Sequence, residues 1–139
     1  MVAILDYGIG NVSSILNMLK KAGAAAKITS DPVLIQEADK LILPGVGHFD
    51  YCMQQLQKAS FHDLLQRRVL EEKVPILGVC VGCQMLMESS EEGVEKGLGW
   101  IEGKVVKFDR NRLSPKMKIP HMGWNDIHPV PDCRLYENI

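Results

Sequence analysis

The chain has 139 residues, with 16 Lys+Arg against 17 Asp+Glu and a formal net charge of −1. That is the length of one domain able to bury a core without staples, and its balanced charge gives no electrostatic footprint for nucleic acid or an anionic membrane. No apolar run approaches the roughly 20 residues needed to span a bilayer, and the start, Met1 to Asp6, lacks the basic region and cleavage site of a signal peptide.

Val2-Ala3-Ile4-Leu5 is a short apolar run that ends at Asp6-Tyr7-Gly8-Ile9-Gly10-Asn11. Such runs, bounded by glycines, predict buried parallel strands. Val12, Ile15, Leu16 and Leu19 then recur at helical spacing, with Gly23 as the stop. Ala24 to Thr29 reads as a second strand, and Ser30-Asp31-Pro32 as a helix start with proline in the first turn. Lys40 to Leu43 is a third strand closed by Pro44-Gly45-Val46-Gly47. Helical pattern follows through Met53 and Leu56, and again through Leu64, Leu65 and Val69. Val74 to Val79 is a fourth strand, and Val81 to Met87 a helix. Strands alternating with helices predict an α/β domain with a three-layer, mostly parallel sheet and right-handed crossovers. Past this point Lys104 to Phe108 and Met117 to Ile119 read as strands, while Pro115, Pro120, Pro129 and Pro131 exclude long helices. No linker divides the chain.

The four cysteines, Cys52, Cys80, Cys83 and Cys133, do not have the spacing of a small secreted disulfide framework. Reduced thiols and a cytoplasmic location are expected.

The sharpest chemical signal is Gly78-Val79-Cys80-Val81-Gly82 between a strand and a helix. This is a nucleophile-elbow pattern with cysteine as the nucleophile. The turn is tight, so its flanks must be small. A cysteine at a helix N-terminus is favoured as thiolate, and the Val81 N–H faces a developing oxyanion. The alternative is a buried cysteine in a glycine-rich turn. Pro44-Gly45-Val46-Gly47 follows another strand, at the same carboxyl edge where open α/β sheets bind ligands, and offers a second oxyanion donor or else an ordinary turn. Gln84, four residues after Cys80, lies on the same helix face. It either meets a ligand near the thiol or is solvated. Glu88, Glu91, Glu92 and Glu95 read as a solvated helix end and loop. Of the bases a cysteine nucleophile needs, His48, His62, His121 and His128 are available, and none sits in an identifying pattern. Cys80-Val81-Gly82-Cys83 is also a C-x-x-C, which opens a redox or metal reading; no partner pattern for a metal accompanies it, and no metal or other cofactor is expected.

These residues resemble class I, triad-type glutamine amidotransferase domains, a flavodoxin-like fold. They are most similar to the glutaminase subunits of imidazole glycerol phosphate synthase, an enzyme of histidine biosynthesis. Three motifs carry the resemblance besides the Gly78 to Gln84 segment: Asp6 to Asn11, Pro44 to Gly47, and Ile119-Pro120-His121-Met122-Gly123-Trp124-Asn125. It implies that Cys80 attacks the side-chain amide of glutamine, giving a glutamyl thioester and ammonia. It implies an oxyanion hole from Val81, Val46 and Gly47, and substrate contacts from Gln84 and Glu92. It implies a (β/α)8-barrel cyclase partner in a heterodimer that takes the ammonia, with Asn11, His121 and Trp124 at the interface.

The family's catalytic histidine and glutamate lie in a later His-Pro-Glu type motif that these residues do not contain. The expectation is a partial domain over 1–139, incomplete at the C-terminus, with an open sheet edge and little or no glutaminase activity alone. Cys83 also departs from the family, and a reversible Cys80–Cys83 disulfide would block the nucleophile. The competing readings are a paralogous amidotransferase for surface-sugar biosynthesis, a non-catalytic docking module, and a C-x-x-C redox protein.

Overall fold

Four apolar runs form one parallel sheet: β1 (Val2–Leu5), β2 (Ala26–Thr29), β3 (Lys40–Gly45) and β4 (Ile76–Cys80), in the order β2-β1-β3-β4. Val2 pairs with both Ala26 and Lys40, Leu41 with Ile76, and Gly45 with Cys80. The structure, a computed structural model, describes residues 1–114, 117–131 and 133. Its contacts divide into two units, Met1–Lys107 and Phe108–Ile139.

Five helices belong to the first unit: α1 (Val12–Lys21), α2 (Pro32–Gln36), α3 (Phe49–Lys58), α4 (His62–Leu70) and α5 (Val81–Met85). Local side chains set the starts of α1, α2 and α3. Asn11 Oδ1 accepts from the Ser14 N–H, Asp31 from that of Val33, and His48 Nδ1 from that of Asp50. Gly23, at φ +76°, ends α1 as expected. The first crossover runs outward to β2 and the later ones run back, so right-handedness puts α1 on one face and α2 to α4 on the other.

The core lies on the second face. Ala3, Leu5, Leu41 and Leu43 of the sheet pack with Ile35, Leu56, Phe61 and Leu65, all buried. The α1 face is thinner: α1 buries no residue fully, and Leu77 of β4 is exposed on that side. Among the described residues no helix is long and apolar enough to cross a membrane.

Among the described residues Arg68 is the one buried charged side chain, and it lies beside this core. Its guanidinium donates to the Ala38 carbonyl and to Glu72, and this pairing holds the Glu72 carboxyl below its ordinary range. Arg68→Ala strands the Ala38 carbonyl, so a loss of about 2–3 kcal/mol is expected from urea midpoints. Arg68→Lys is expected to recover little of it, because one ammonium does not span both acceptors.

Three expectations change. Pro44 and Gly45 are the last residues of β3 rather than a turn closing it. This is permitted because β1 has ended at Leu5, so the missing proline N–H costs no ladder bond. The strand read over Lys104 to Phe108 shrinks to β6 (Lys104–Val105), which pairs with β5 (Ser89–Ser90). Met117 to Ile119 is not a strand: among the described residues no strand offers it a ladder, and three residues cannot hold one alone. The second unit contains a 3-10 turn at Arg110–Arg112, capped by Asp109. Pro115 lies outside the described residues.

Candidate active site

Cys80 ends β4 and caps α5 with φ +57° and ψ −121°. A non-glycine residue there is strained and persists only where its surroundings over-determine it. Here the first turn of α5 lies directly on the sheet. A Cβ added to Gly82 would stand 2.0 Å from the Leu43 oxygen, and one on Gly78 2.5 Å from Cys83 Cα. The glycines flanking the elbow are therefore required by space. Cys80 and Cys83 are both exposed.

Gly45 lies opposite Cys80 in the ladder, so Val46 and Gly47 leave β3 at the carboxyl edge, where Val81 begins α5. Val46 and Gly47 are exposed, and Gly47 has φ +95°. Their segment is tied from two sides. The Tyr7 hydroxyl donates to the Pro44 carbonyl and lies 3.7 Å from Met85 Sδ. The Cys52 thiol, on α3, lies 3.3 Å from the Val46 carbonyl oxygen. Burial raises both the Tyr7 phenol and the Cys52 thiol above their ordinary pKa, so both remain donors at neutral pH.

Gln84 and Glu92 come together. With Ser90, Val105, Val106 and Lys107 they line a pocket of about 120 Å³. The pocket is a small, open cleft between α5 and the β5–β6 ladder. Cys80 is not among its lining residues.

The acidic stretch lies at the surface as expected, with Glu88, Glu91 and Glu92 exposed, but its carboxylates are engaged. Glu88 accepts from the Gly103 N–H (3.2 Å), Glu91 from that of Lys107 (2.8 Å) and Glu92 from that of Phe49 (3.0 Å), while Glu95 accepts from Gln54 (2.9 Å). Backbone donors left free at strand and helix ends take up the first three carboxylates, and a side-chain amide the fourth. Asp50, which the sequence reading passed over, completes the set: its carboxylate accepts from the N–H groups of Val94 (3.0 Å) and Glu95 (2.9 Å). The signal available for it was an acid in the first turn of a helix.

Those two backbone bonds hold Asp50 below the ordinary aspartate pKa. A carboxylate with a lowered folded pKa contributes above its unfolded value, about 3.9, and the contribution is lost as pH falls through the folded value. The clasp is thus complete at neutral pH. Asp50→Ala is expected to free the turn carrying Glu92 and to lower the urea midpoint, Asp50→Asn less. Urea unfolding of both variants measures this.

The remaining candidates are dispersed. Asn11 spends its side chain capping α1. His121 lies 3.4 Å from Asn125, and Trp124 is fully exposed, both in the second unit. His48 caps α3 and His62 pairs with Asp63. Within the first unit neither His48 nor His62 hydrogen-bonds Cys80.

The family Glutamine amidotransferase class-I matches residues 3–138. The chain is 57% identical over 139 residues to an imidazole glycerol phosphate synthase subunit HisH 2 of Methanococcus maripaludis, all of this chain against 67% of that protein. It is 50% identical over 129 residues to the protein of the same name in Pseudomonas aeruginosa, 93% of this chain against 62% of that one. It is 41% identical over 139 residues to subunit HisH of Leptospira interrogans, again all of this chain against 68% of the relative. The chain therefore spans about two thirds of the length of these relatives.

Proposed function

Since the chain belongs to the class-I glutamine amidotransferase family, we propose that it is a glutaminase component of imidazole glycerol phosphate synthase, acting through Cys80 in the cytoplasm to supply ammonia for histidine biosynthesis. The observation that carries this reading is the strained elbow: a cysteine at φ +57°, exposed at the carboxyl edge and flanked by glycines that space requires.

The chemistry follows from the parts. The Cys80 thiolate attacks the side-chain amide carbonyl of glutamine, and the carbonyl oxygen becomes an anion. The Val81 N–H and the Val46–Gly47 backbone are the donors for that anion, a type of stabilisation worth about 3–4 kcal/mol per donor where measured. The carbon–nitrogen bond breaks, the nitrogen leaves as ammonia after taking a proton, and a glutamyl thioester remains. Water hydrolyses it to glutamate and returns the thiol. Gln84 and Glu92 hold the substrate; their shared pocket supports this.

Ammonia passes to a (β/α)8-barrel cyclase subunit in a heterodimer. Asn11, His121 and Trp124 meet that partner, and the exposed indole of Trp124 supports the reading, since a bare tryptophan is a frequent interface anchor. Residues 1–139 by themselves acylate without efficient turnover; His48 and His62, the histidines of the first unit, are engaged elsewhere, which supports this.

The test is to mix the chain with glutamine, with and without the cyclase subunit, quench in acid, and weigh the peptides. A glutamyl group on the Cys80 peptide is expected. A folded chain that gives no adduct under either condition contradicts the assignment.

A further inference from the structure

Glu92 is exposed, and an exposed glutamate ordinarily keeps most of its rotamer freedom. Here it is held at two points. Its carboxylate accepts from the Phe49 N–H at 3.0 Å, and its own backbone N–H donates to Ser90 Oγ at 3.2 Å. Ser90 also closes the turn in which Glu92 stands, since its carbonyl accepts from the Gly93 N–H at 3.3 Å. Serine in the first place and glycine in the fourth are residues that such four-residue turns favour. The Glu91 N–H still bonds the Val105 carbonyl at 2.9 Å, so the chain leaves the β5–β6 ladder just before Glu92, and Ser90 is the residue that fixes how it leaves.

Ser90 is itself 6% exposed. Among the described residues the other buried polar or charged side chains are Thr29 and Arg68. Thr29 takes the Asp31 N–H before α2, and Arg68 binds the Ala38 carbonyl; neither lines the cleft shared by Gln84 and Glu92. Ser90 does. A carboxylate offers two oxygens and about four acceptor positions, so the bond from Phe49 leaves Glu92 able to take a further donor. Glutamine carries one cation, its α-ammonium, and that is the group a carboxylate takes in preference.

We propose that Ser90 is a positioning residue for recognition of the substrate's α-ammonium. Its hydroxyl holds the Glu92 backbone, the Phe49 N–H holds the carboxylate, and together they keep that carboxylate at the cleft in one arrangement. The site therefore takes a free amino acid in preference to one without its amino group, and a buried hydroxyl one step removed from the substrate sets much of that preference. This inference rests on the glutaminase reading above and assigns a task to a side chain which that reading leaves unused.

The test compares two reagents on the 139-residue chain at neutral pH. The chloromethyl ketone analogue of glutamine alkylates a thiol, the new carbon–sulfur bond forming as chloride leaves, and it keeps the α-ammonium. Its deamino counterpart is the same ketone without that group. Peptide masses report the label at Cys80 alone. The wild type is expected to react faster with the ammonium-bearing ketone. Ser90→Ala is expected to slow that ketone about three- to tenfold, the range of one ordinary hydrogen bond, and the deamino ketone by less than about twofold. Ser90→Thr, which keeps a hydroxyl able to close the same turn, is expected to recover most of the preference. Glu92→Gln is expected to lose it, and adding Ser90→Ala to Glu92→Gln is expected to cost nothing further. An undiminished preference in Ser90→Ala overturns the proposal, as does an equal fall with both ketones, a threonine variant no better than alanine, or a full additional loss in the double variant. A wild type that glutamine protects but that reacts equally with both ketones also overturns it. If glutamine does not slow the wild-type ketone reaction at Cys80, the glutaminase reading itself has failed, a result distinct from all of these.

Discussion

Cys80→Ala is expected to eliminate the glutamyl adduct and all glutamine-protected labelling by the chloromethyl ketone, a loss of at least about a thousandfold in the rate of thioester formation. Removing the nucleophile of a covalent mechanism leaves only binding and oxyanion donors, and comparable deletions elsewhere cost up to about a millionfold. No neighbouring group can substitute. Cys83 is also exposed, but it sits within α5 rather than on the elbow, one turn past the residue that carries the positive φ. Cys83→Ala is therefore expected to leave the adduct at Cys80 intact. The measurement is peptide mass after acid quench for both variants. If Cys80→Ala still forms a glutamyl adduct at Cys83, the elbow is not what selects the nucleophile.

Gly82→Ala is expected to destabilise the fold by about 3 kcal/mol or more, against a total of roughly 5–15 kcal/mol for a small domain. Two effects oppose each other. Alanine is favoured over glycine in a helix interior by about 1 kcal/mol. Against this, its Cβ would lie 2.0 Å from the Leu43 oxygen and 2.9 Å from the Leu43 carbonyl carbon. Those atoms belong to β3, which is bonded on both sides by β1 and β4 and cannot retreat. The clash therefore decides the sign. α5 must lift from the sheet, and Cys80 moves with it. Urea unfolding followed by helical signal measures the loss. An alanine variant as stable as wild type would show that α5 does not lie on β3 as described.

The sequence shows the sheet and the elbow because both are local. Four short apolar runs, each ended by a glycine or a proline within a few residues, can be read without knowing their partners. The glycines around Cys80 announce a tight turn for the same reason. The clasps around the pocket could not be read that way. Glu92 is explained by the Phe49 N–H, and Asp50 by Val94 and Glu95, partners that only the fold brings near. A cluster of four glutamates has the composition of a solvated surface, and nothing local marks three of them as acceptors of backbone N–H groups. Cys52 is harder still: at helical spacing among Phe49, Met53 and Leu56 it reads as one more core residue, and its bond to Val46 depends on how α3 returns over the edge of β3. Met117 to Ile119 failed in the opposite direction, since β-forming residues without a neighbouring strand have no ladder to join.

The most direct test of the account compares Cys80 with Cys83 in the same molecule. Both thiols are exposed and three residues apart, so intrinsic access does not separate them. The rates at which the chloromethyl ketone analogue of glutamine labels each are to be measured with and without glutamine. The account predicts fast labelling at Cys80, slowed in proportion to added glutamine, and slow labelling at Cys83 that ignores it. Equal rates at the two cysteines, both indifferent to glutamine, would contradict it.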